Sequence, residues 1–458
     1  MKRLLWVFSF CICSTIFPSA LFAETRWTNT SGGTFNWNTS GNWSGTFPPT
    51  SADDVRITND LLSAQTITNA GSAGVVGNTS TINFMAISNG LASTPITVIQ
   101  NTNVNWVSRF GVQLGKNSTL ILTTNAQFGV DNNMTFSIRA GGQPGTLMLS
   151  NGANVSAFTL FLVRGAGSTT NPVVNAGTIQ FAPGANQQAG INYGQTAAFT
   201  NDALGTIVKN GSGTGSFVGT FGVQNRAFIN NGTILVNAGT FRMDPRDAFS
   251  RGGFQNTATG FVQVNSGAVF ELRRTTNAWS NGNAPTNFGT VFLNGGNVVA
   301  FDTDTLSTNV SRTIANLGTI AGDGTIFASL NNRTNSFLSP GGLGLGTLDV
   351  RGNVTLGSNS TFVVELGLLA GQNDLLTVVS NLVLDANSIL DISGGAIGNV
   401  YTVATFSAVS GVFGTVTPLY SVTYNPDNIE ITLVPEPSSL VLAIIGFAGL
   451  VAYYRRKH

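Results

Sequence analysis

The stretch that decides the fold is a short glycine-led motif that recurs along the middle of the chain. Each copy consists of Gly, then Thr (once Phe), then a β-branched or aliphatic residue. The copies are Gly177-Thr178-Ile179, Gly205-Thr206-Ile207, Gly232-Thr233-Ile234, Gly260-Phe261-Val262, Gly289-Thr290-Val291, Gly318-Thr319-Ile320 and Gly346-Thr347-Leu348. Successive glycines are separated by 28, 27, 28, 29, 29 and 28 residues. A constant period in this range is typical of architectures that stack one structural unit on the next.

Within each repeat, strands of about five residues alternate apolar and polar side chains and are separated by Gly and Asn. An apolar residue and an Asn often precede the glycine, as in Phe199-Thr200-Asn201 and Phe228-Ile229-Asn230. This pattern predicts an all-β fold, a right-handed parallel β-helix with coils of about 28 residues and β-rich caps at both ends. We expect Gly and Asn at the corners, where a left-handed backbone conformation is needed. A β-propeller is the alternative, although no Trp-Asp blade signature is present.

The segments on either side of the repeats predict the domain organisation. Residues 24–58 contain Trp27, Trp37 and Trp43, bulky rings that suit a cap over the open end of a stacked sheet. A small carbohydrate-binding patch is the alternative for these tryptophans. We assign residues 59–348 to the β-helix repeats and 349–433 to C-terminal strands. The aromatic segment, the Pro340-Gly341 turn and the late Gly-Thr-Leu strand resemble autotransporter passenger domains.

The first 23 residues read as a secretory signal peptide, which is excluded from the fold. Met1-Lys2-Arg3 is a basic n-region, residues 4–17 form an apolar h-region, and Ala23 is a plausible last residue before cleavage. Such a leader predicts export of the chain.

The last 25 residues, 434–458, show three features in a fixed order. Pro435-Glu436-Pro437 precedes an uncharged apolar block, which predicts a short transmembrane helix, and a basic cluster of Arg455, Arg456 and Lys457 follows. This order resembles a PEP-CTERM sorting tail. The resemblance implies that an exosortase-type membrane enzyme recognises the tail, removes it near the Pro-Glu-Pro sequence and passes the protein to the cell surface. The resemblance also implies that the C-terminal helix anchors the chain in the membrane until the tail is removed.

The composition limits the chemistry that the chain can perform. Charged residues make up 9% of the sequence and the formal net charge is +1. The chain therefore lacks the excess of positive charge that would predict nucleic-acid binding. The sole histidine is His458, in the sorting tail, and the sole cysteines, Cys11 and Cys13, lie in the signal peptide. The processed chain therefore offers no Ser-His-Asp triad, Cys-His pair or His-based metal site. We predict no catalytic residues, no cofactor and no metal.

One charge-dense stretch qualifies this expectation. It comprises Arg242, Asp244, Arg246, Asp247, Arg251, Glu271, Arg273 and Arg274, and Asp302 and Asp304 form a further carboxylate pair. Some parallel β-helices cleave glycans with an Arg base or paired carboxylates in a groove. The alternative function is therefore a polysaccharide lyase or hydrolase acting through Arg246 or Arg251 with Asp244 and Asp247. The simpler interpretation is a solvated loop with local ion pairs.

Taken together, these features predict an exported, exosortase-sorted structural or adhesive protein of the cell surface or extracellular matrix. The PEP-CTERM resemblance links such proteins to exopolysaccharide and biofilm, so we expect extracellular polysaccharide or other surface proteins as partners. A purely architectural surface-layer role is a further alternative that the sequence does not distinguish.

Overall fold

The computed structural model describes most of the repeat region and the C-terminal half. The described residues are 24–29, 31–37, 39–44, 54–57, 65–69, 79–87, 96–100, 105–114, 118–122, 127–130, 135–137, 146–149, 154–157, 173–175, 178–183, 185, 188–193, 198–219, 227–244, 253–273, 286–300, 313–434 and 437–457. The predicted signal peptide lies outside these residues. The predicted domain boundaries therefore remain predictions.

The described strands stack in parallel, coil upon coil, so the predicted parallel β-helix is confirmed and the propeller alternative is wrong. In the middle of the stack, each coil contributes one strand to each of three faces. There, each strand pairs in parallel with a strand of the coil on either side, and this pairing satisfies its backbone groups. The interior of the coils is filled by the inward side chains, including Ile207, Val262 and Leu293, which are all fully buried.

The first face carries the Gly-Thr motif. Its strands are Gly33–Asn36, Gln65–Asn69, Ile96–Gln100, Ser118–Leu122, Thr146–Leu149, Thr178–Phe181, Thr206–Lys209, Thr233–Val236, Phe261–Asn265, Phe337–Pro340, Thr361–Leu366, Ile389–Gly394 and Thr415–Val416. The second face follows each of these along the chain. Its strands are Gln127–Val130, Asn154–Ala157, Gln188–Tyr193, Thr214–Gly219, Gly239–Asp244, Ala268–Leu272, Thr347–Val350, Leu375–Val378 and Val400–Thr405.

The third face closes each coil. Its strands are Glu24–Arg26, Asp54–Ile57, Thr135–Ser137, Val173–Asn175, Ala198–Asn201, Ala227–Asn230, Phe254–Asn256, Thr286–Asn287, Thr313–Asn316, Ser329–Asn332, Val354–Leu356, Asn381–Leu384 and Ala408–Ser410. Four longer strands bend around a corner and serve two faces. They are Thr79–Ile87, Asn105–Leu114, Thr290–Ala300 and Thr319–Phe327.

The two ends of the coil stack differ from its middle. At the N-terminal end, Trp27, Trp37 and Trp43 are buried, and the Trp37 and Trp43 ring centroids lie 4.7 Å apart. A 3-10 helix, Ser40–Asn42, lies beside them. At the C-terminal end, the antiparallel hairpin Tyr420–Tyr424 and Asn428–Leu433 pairs with Val400–Thr405. An α-helix, Pro437–Lys457, follows.

The predicted repeat register is confirmed over six copies of the motif. Thr178, Thr206, Thr233, Phe261, Thr290 and Thr319 stand opposite one another in successive coils. The prediction is wrong for the seventh copy, Gly346-Thr347-Leu348, which lies on the second face, where Thr347 pairs with Leu375. On the first face, Phe337 takes the position opposite Thr319. After Phe327 the chain takes short turns at both corners and so returns to the first face earlier than the 28-residue period expects.

From Gly232 to Gly318, the motif glycines are needed for close packing rather than for a left-handed backbone. An added Cβ at Gly289 would overlap the carbonyl oxygens of Gly260 and Thr257, and one at Gly318 would overlap the carbonyl of Gly289. The motif glycines therefore stack against one another from coil to coil. Left-handed φ values of 63° to 75° occur instead at Gly239, Gly267 and Gly295, at the corner between the first and second faces.

Six buried asparagines form a continuous hydrogen-bonded column, the inner ladder, inside the coil stack. They end successive strands of the third face and are Asn201, Asn230, Asn256, Asn287, Asn316 and Asn332. Each Nδ2 donates to the Oδ1 of the next, at 2.7 to 2.8 Å for the first four bonds. The prediction of a left-handed corner is wrong for these residues, because none of them has a positive φ.

The inner ladder also ties side chains to the backbone of the motif strands. Asn256 Nδ2 donates to the carbonyl oxygens of Gly260 and Thr290, both at 3.1 Å. The ladder ends at Asn332, because Leu356 occupies the next position in register. Asn332 Nδ2 consequently has no hydrogen-bond partner. A buried amide is favourable only when its donors and acceptors are paired.

A substitution inside the inner ladder should cost far more than one at its end. Asn256→Ala removes three donor contacts and leaves Asn230 Nδ2 without its amide acceptor, so we expect a loss of about 2–4 kcal/mol in unfolding free energy. Asn332→Ala is the matched control, since it removes an unpartnered amide nitrogen and one accepted bond, and should cost about 1 kcal/mol. Denaturant unfolding of both variants measures the difference in unfolding free energy. Equal losses for the two variants would contradict a stabilising role for the continuous hydrogen-bonded column.

Alanine at a motif glycine should destabilise the chain through backbone overlap. For Gly289→Ala we expect a loss of at least ~2 kcal/mol, because the rigid carbonyls of Gly260 and Thr257 cannot move aside independently. Gly344→Ala is the control. Gly344 has no atom within 4 Å of an added Cβ, so its substitution should change stability by less than about 0.5 kcal/mol. Thermal unfolding followed by circular dichroism compares the two, and a well-tolerated Gly289→Ala would rule out the packing role.

Candidate functional site

The predicted charge-dense stretch contains a buried ion-pair cluster on the second face. Arg242 and Glu271 stand opposite each other in adjacent coils, and Arg242 Nε lies 3.0 Å from Glu271 Oε2. Arg273 Nε contacts the other carboxylate oxygen, Oε1. Glu271 is only 3% exposed. A guanidinium therefore engages each oxygen of this carboxylate, and the Arg242 ion pair links two adjacent coils.

The remaining residues of the glycan-cleavage alternative are only partly described. Asp244 ends the strand Gly239–Asp244 and is 2% exposed. Arg246, Asp247, Arg251, Arg274, Asp302 and Asp304 lie outside the described residues, so their arrangement stays a prediction. In the part of the chain that the structure describes, no three His, Cys, Asp or Glu side chains converge as metal ligands.

A second asparagine column, the outer ladder, lies on the surface at the corner between the first and second faces. It consists of Asn210, Asn237, Asn265 and Asn294, which are half-buried or exposed. Nδ2 of Asn237 donates to Asn210 Oδ1 at 2.9 Å, Nδ2 of Asn265 to Asn237 Oδ1 at 2.7 Å, and Nδ2 of Asn294 to Asn265 Oδ1 at 3.0 Å. The corner therefore presents one amide per coil in a fixed row.

A buried lysine holds the corner beneath the outer ladder. Lys209 is fully buried and donates from Nζ to the carbonyl oxygens of Asn210, Gly211 and Ala238 at 2.6 to 2.9 Å. Burial lowers the pKa of Lys209 to about 8. All three ammonium donors are satisfied by backbone of two adjacent coils, so Lys209 fixes the turns that carry Asn210 and Asn237.

Sequence reasoning missed both asparagine ladders as functional features, although their signal is present. The outer ladder recurs at separations of 27, 28 and 29 residues, the same period as the motif glycines. The inner ladder varies more, from 16 to 31 residues, because turns of different length separate its strands. In a chain so rich in Asn, only the register distinguishes these positions from others.

The predicted sorting tail forms a helix. Pro437 begins it and Lys457 ends it, whereas Pro435 and Glu436 lie outside the described residues. Arg455 and Arg456 are exposed near its end. Among the residues that the structure describes, no helix combines the length and the apolar character required to cross a membrane, so the predicted transmembrane helix is not confirmed.

Comparison with known proteins gives one finding, which concerns the tail. Residues 433–457 match the PEP-CTERM protein-sorting motif. A search of curated proteins finds no significant match to the chain. The motif indicates exosortase-dependent sorting to the cell surface, and it implies export and a transient C-terminal membrane anchor before display. The chain is thus a PEP-CTERM protein whose sorting motif follows a parallel β-helical repeat region.

Proposed function

We propose that the chain is a structural or adhesive protein of the cell surface or extracellular matrix, without catalytic activity. Its partners in this role are extracellular polysaccharide and neighbouring surface proteins, and its setting is the biofilm matrix. The observation that carries the proposal is the outer ladder, Asn210, Asn237, Asn265 and Asn294, a surface row of uncharged amides in coil register.

The geometry of the outer ladder suits a repetitive polar partner. Adjacent parallel strands are about 4.8 Å apart, so the amides recur at that interval along the rod. Each ladder bond uses one N–H and one carbonyl lone pair, which leaves each amide a second N–H for a ligand. A further lone pair also remains except at Asn265, whose Oδ1 accepts a second hydrogen bond from Gln263 Nε2 at 2.8 Å. A glycan chain offers repeated hydroxyl donors and acceptors, so many weak contacts can add in avidity.

A threonine row on the first face extends this uncharged polar surface. Thr178, Thr206, Thr233, Thr290 and Thr319 occupy equivalent half-buried positions, and Phe261 takes this position in the coil between Thr233 and Thr290. Their hydroxyl groups both donate and accept hydrogen bonds. Because neither row carries charge, we expect binding that depends little on ionic strength.

The non-catalytic proposal draws support from the ion-pair cluster. Both oxygens of Glu271 are taken by Arg242 and Arg273, which suits a contact that joins adjacent coils. Exosortase remains the processing partner that the sorting motif implies.

Removing the outer ladder should weaken glycan binding without unfolding the rod. The combined variant Asn210→Ala, Asn237→Ala, Asn265→Ala and Asn294→Ala should lower affinity at least about tenfold in co-sedimentation with neutral and acidic glycans, because avidity is lost with the row. Asn381→Ala with Asn387→Ala is the control, since both side chains are exposed away from this corner. Circular dichroism verifies that both variants keep the native strand content.

The same proteins and a deletion strain distinguish the remaining alternatives. We expect the deletion to reduce cell aggregation and the wild-type chain to restore it. If the chain binds none of the glycans tested and the deletion leaves cell aggregation unchanged, the adhesive role is contradicted. Ordered self-assembly of the purified chain without glycan would instead favour a purely architectural surface layer.

Incubation with polysaccharides should release no products. We expect neither new reducing ends nor unsaturated sugars above a buffer control after prolonged incubation with neutral and acidic glycans. The reason is that Arg242 and Arg273 engage both carboxylate oxygens of Glu271, a buried carboxylate of the charged stretch. Turnover that disappears in Asp244→Asn and Arg246→Ala variants would replace the structural role with an enzymatic one.

A further inference from the structure

The corner that carries the outer ladder changes its chemistry near the C-terminal end of the rod. In register, Asn265 is followed by Asn294 and then by Asp323. Beyond Asp323, the connections from the first to the second face are the loops 341–346, 367–374 and 395–399, and residues 417–419 connect the last first-face strand to the C-terminal hairpin. The one charged residue in these four segments is Asp374, which is buried.

These loops expose large aliphatic side chains in successive coils. Leu343 is 96% exposed, Leu368 75%, Ile397 65% and Leu419 45%. Leu345 and Leu369 are also exposed. We call these six residues the apolar corner. Scattered surface leucines need no explanation, but exposed aliphatic side chains that recur at one corner in four successive coils mark a surface that contacts something apolar.

Hydrogen bonds between coils hold the apolar corner in place. Asp374, which is 1% exposed, accepts the Gly346 N–H at Oδ1 (3.0 Å) and the Glu365 N–H at Oδ2 (2.9 Å). Asn399 Nδ2 donates to the Leu368 carbonyl at 3.1 Å. The aliphatic side chains are therefore presented by fixed loops.

Two tyrosines continue these links up the stack. Tyr401 Oη donates to the Gly367 carbonyl at 2.8 Å, and Tyr420 Oη donates to the Gly394 carbonyl at 2.7 Å. Each tyrosine joins one corner loop to the coil that follows it. The exposed row is consequently a built surface of the last four coils.

The sorting tail leaves the rod from the apolar corner. Val434 N–H donates to the Leu419 carbonyl at 2.8 Å, and the tail helix begins at Pro437. Three residue steps span at most about 11 Å even when fully extended. While the tail anchors the chain, the Leu419 end of the corner therefore stays close to the membrane surface.

We propose that the apolar corner is a membrane-contact surface, which inserts its aliphatic side chains into the outer face of the bilayer while the chain is anchored. This inference rests on the transient C-terminal anchor that the sorting motif implies. The tether raises the effective concentration of lipid at this corner above that of an untethered partner such as a second copy. Contact with the bilayer fixes the height above the membrane at which Val434 leaves the rod.

Site-specific quenching in vesicles tests the contact on the full chain. In a background of Cys11→Ser and Cys13→Ser, Leu368→Cys or Val383→Cys is labelled with an environment-sensitive fluorophore, and the chain is reconstituted in phosphatidylcholine vesicles with nitroxide-labelled acyl chains. Val383 is the matched control, since it is 38% exposed on the third face of the same coil. We expect quenching at position 368 at least about twofold stronger than at 383, and insensitive to salt.

A further variant separates contact from anchoring. Leu343→Ser, Leu345→Ser and Leu369→Ser together should abolish the excess quenching at position 368 while the chain still floats with the vesicles. Flotation with equal quenching at both positions would overturn the contact and leave the sorting anchor standing. A chain that does not float would remove the anchor itself and the proposal with it. If the emission of the fluorophore at position 368 shifts without lipid, and shifts further as protein concentration rises, the corner mediates self-association. If the emission shifts only with membranes that contain exosortase, the corner binds that enzyme. Either result would overturn the proposal.

Discussion

Five of the six buried amides of the inner ladder, all but Asn332, donate to an acceptor in the coil next to their own, and the alignment of these coils depends on this constraint. Asn230, for example, accepts from Asn201 below it and donates to Asn256 above it. A coil with one of these amides cannot satisfy it alone, and an unsatisfied buried amide is costly. The ladder therefore links folding of each coil to the presence of its neighbours, and it sets the register in which the motif strands align.

The hydrophobic core obeys the same register. Phe199, Phe228 and Phe254 occupy equivalent inward positions, and their rings stack with centroid separations of 4.8 and 5.9 Å. A shift of one residue would turn these side chains outward and separate the amides at once. Packing and polar pairing thus specify one alignment of the coils.

The sequence alone was enough to predict a parallel β-helix, because six evenly spaced glycines reflect a physical stacking of coils. It did not reveal why those glycines are needed: the overlap at Gly289 arises from the carbonyl of Gly260 in another coil, which no local pattern shows. The seventh motif failed for a similar reason, since the length of the turns after Phe327 is set by packing. The functional surfaces were harder still. Asn210 and Leu343 are ordinary residues in this composition, and only the fold reveals that each belongs to a row along one corner.

The two asparagine ladders have opposite polarity. In the inner ladder each amide donates toward the C-terminal end, as Asn201 does to Asn230, whereas in the outer ladder each donates toward the N-terminal end, as Asn237 does to Asn210. Aligned amide dipoles in a hydrogen-bonded chain reinforce one another. Because the two columns run antiparallel over the coils they share, their dipoles oppose each other. The asparagines of those coils therefore add little net dipole along the rod axis, and rods lying side by side can orient either way with little electrostatic preference from these columns.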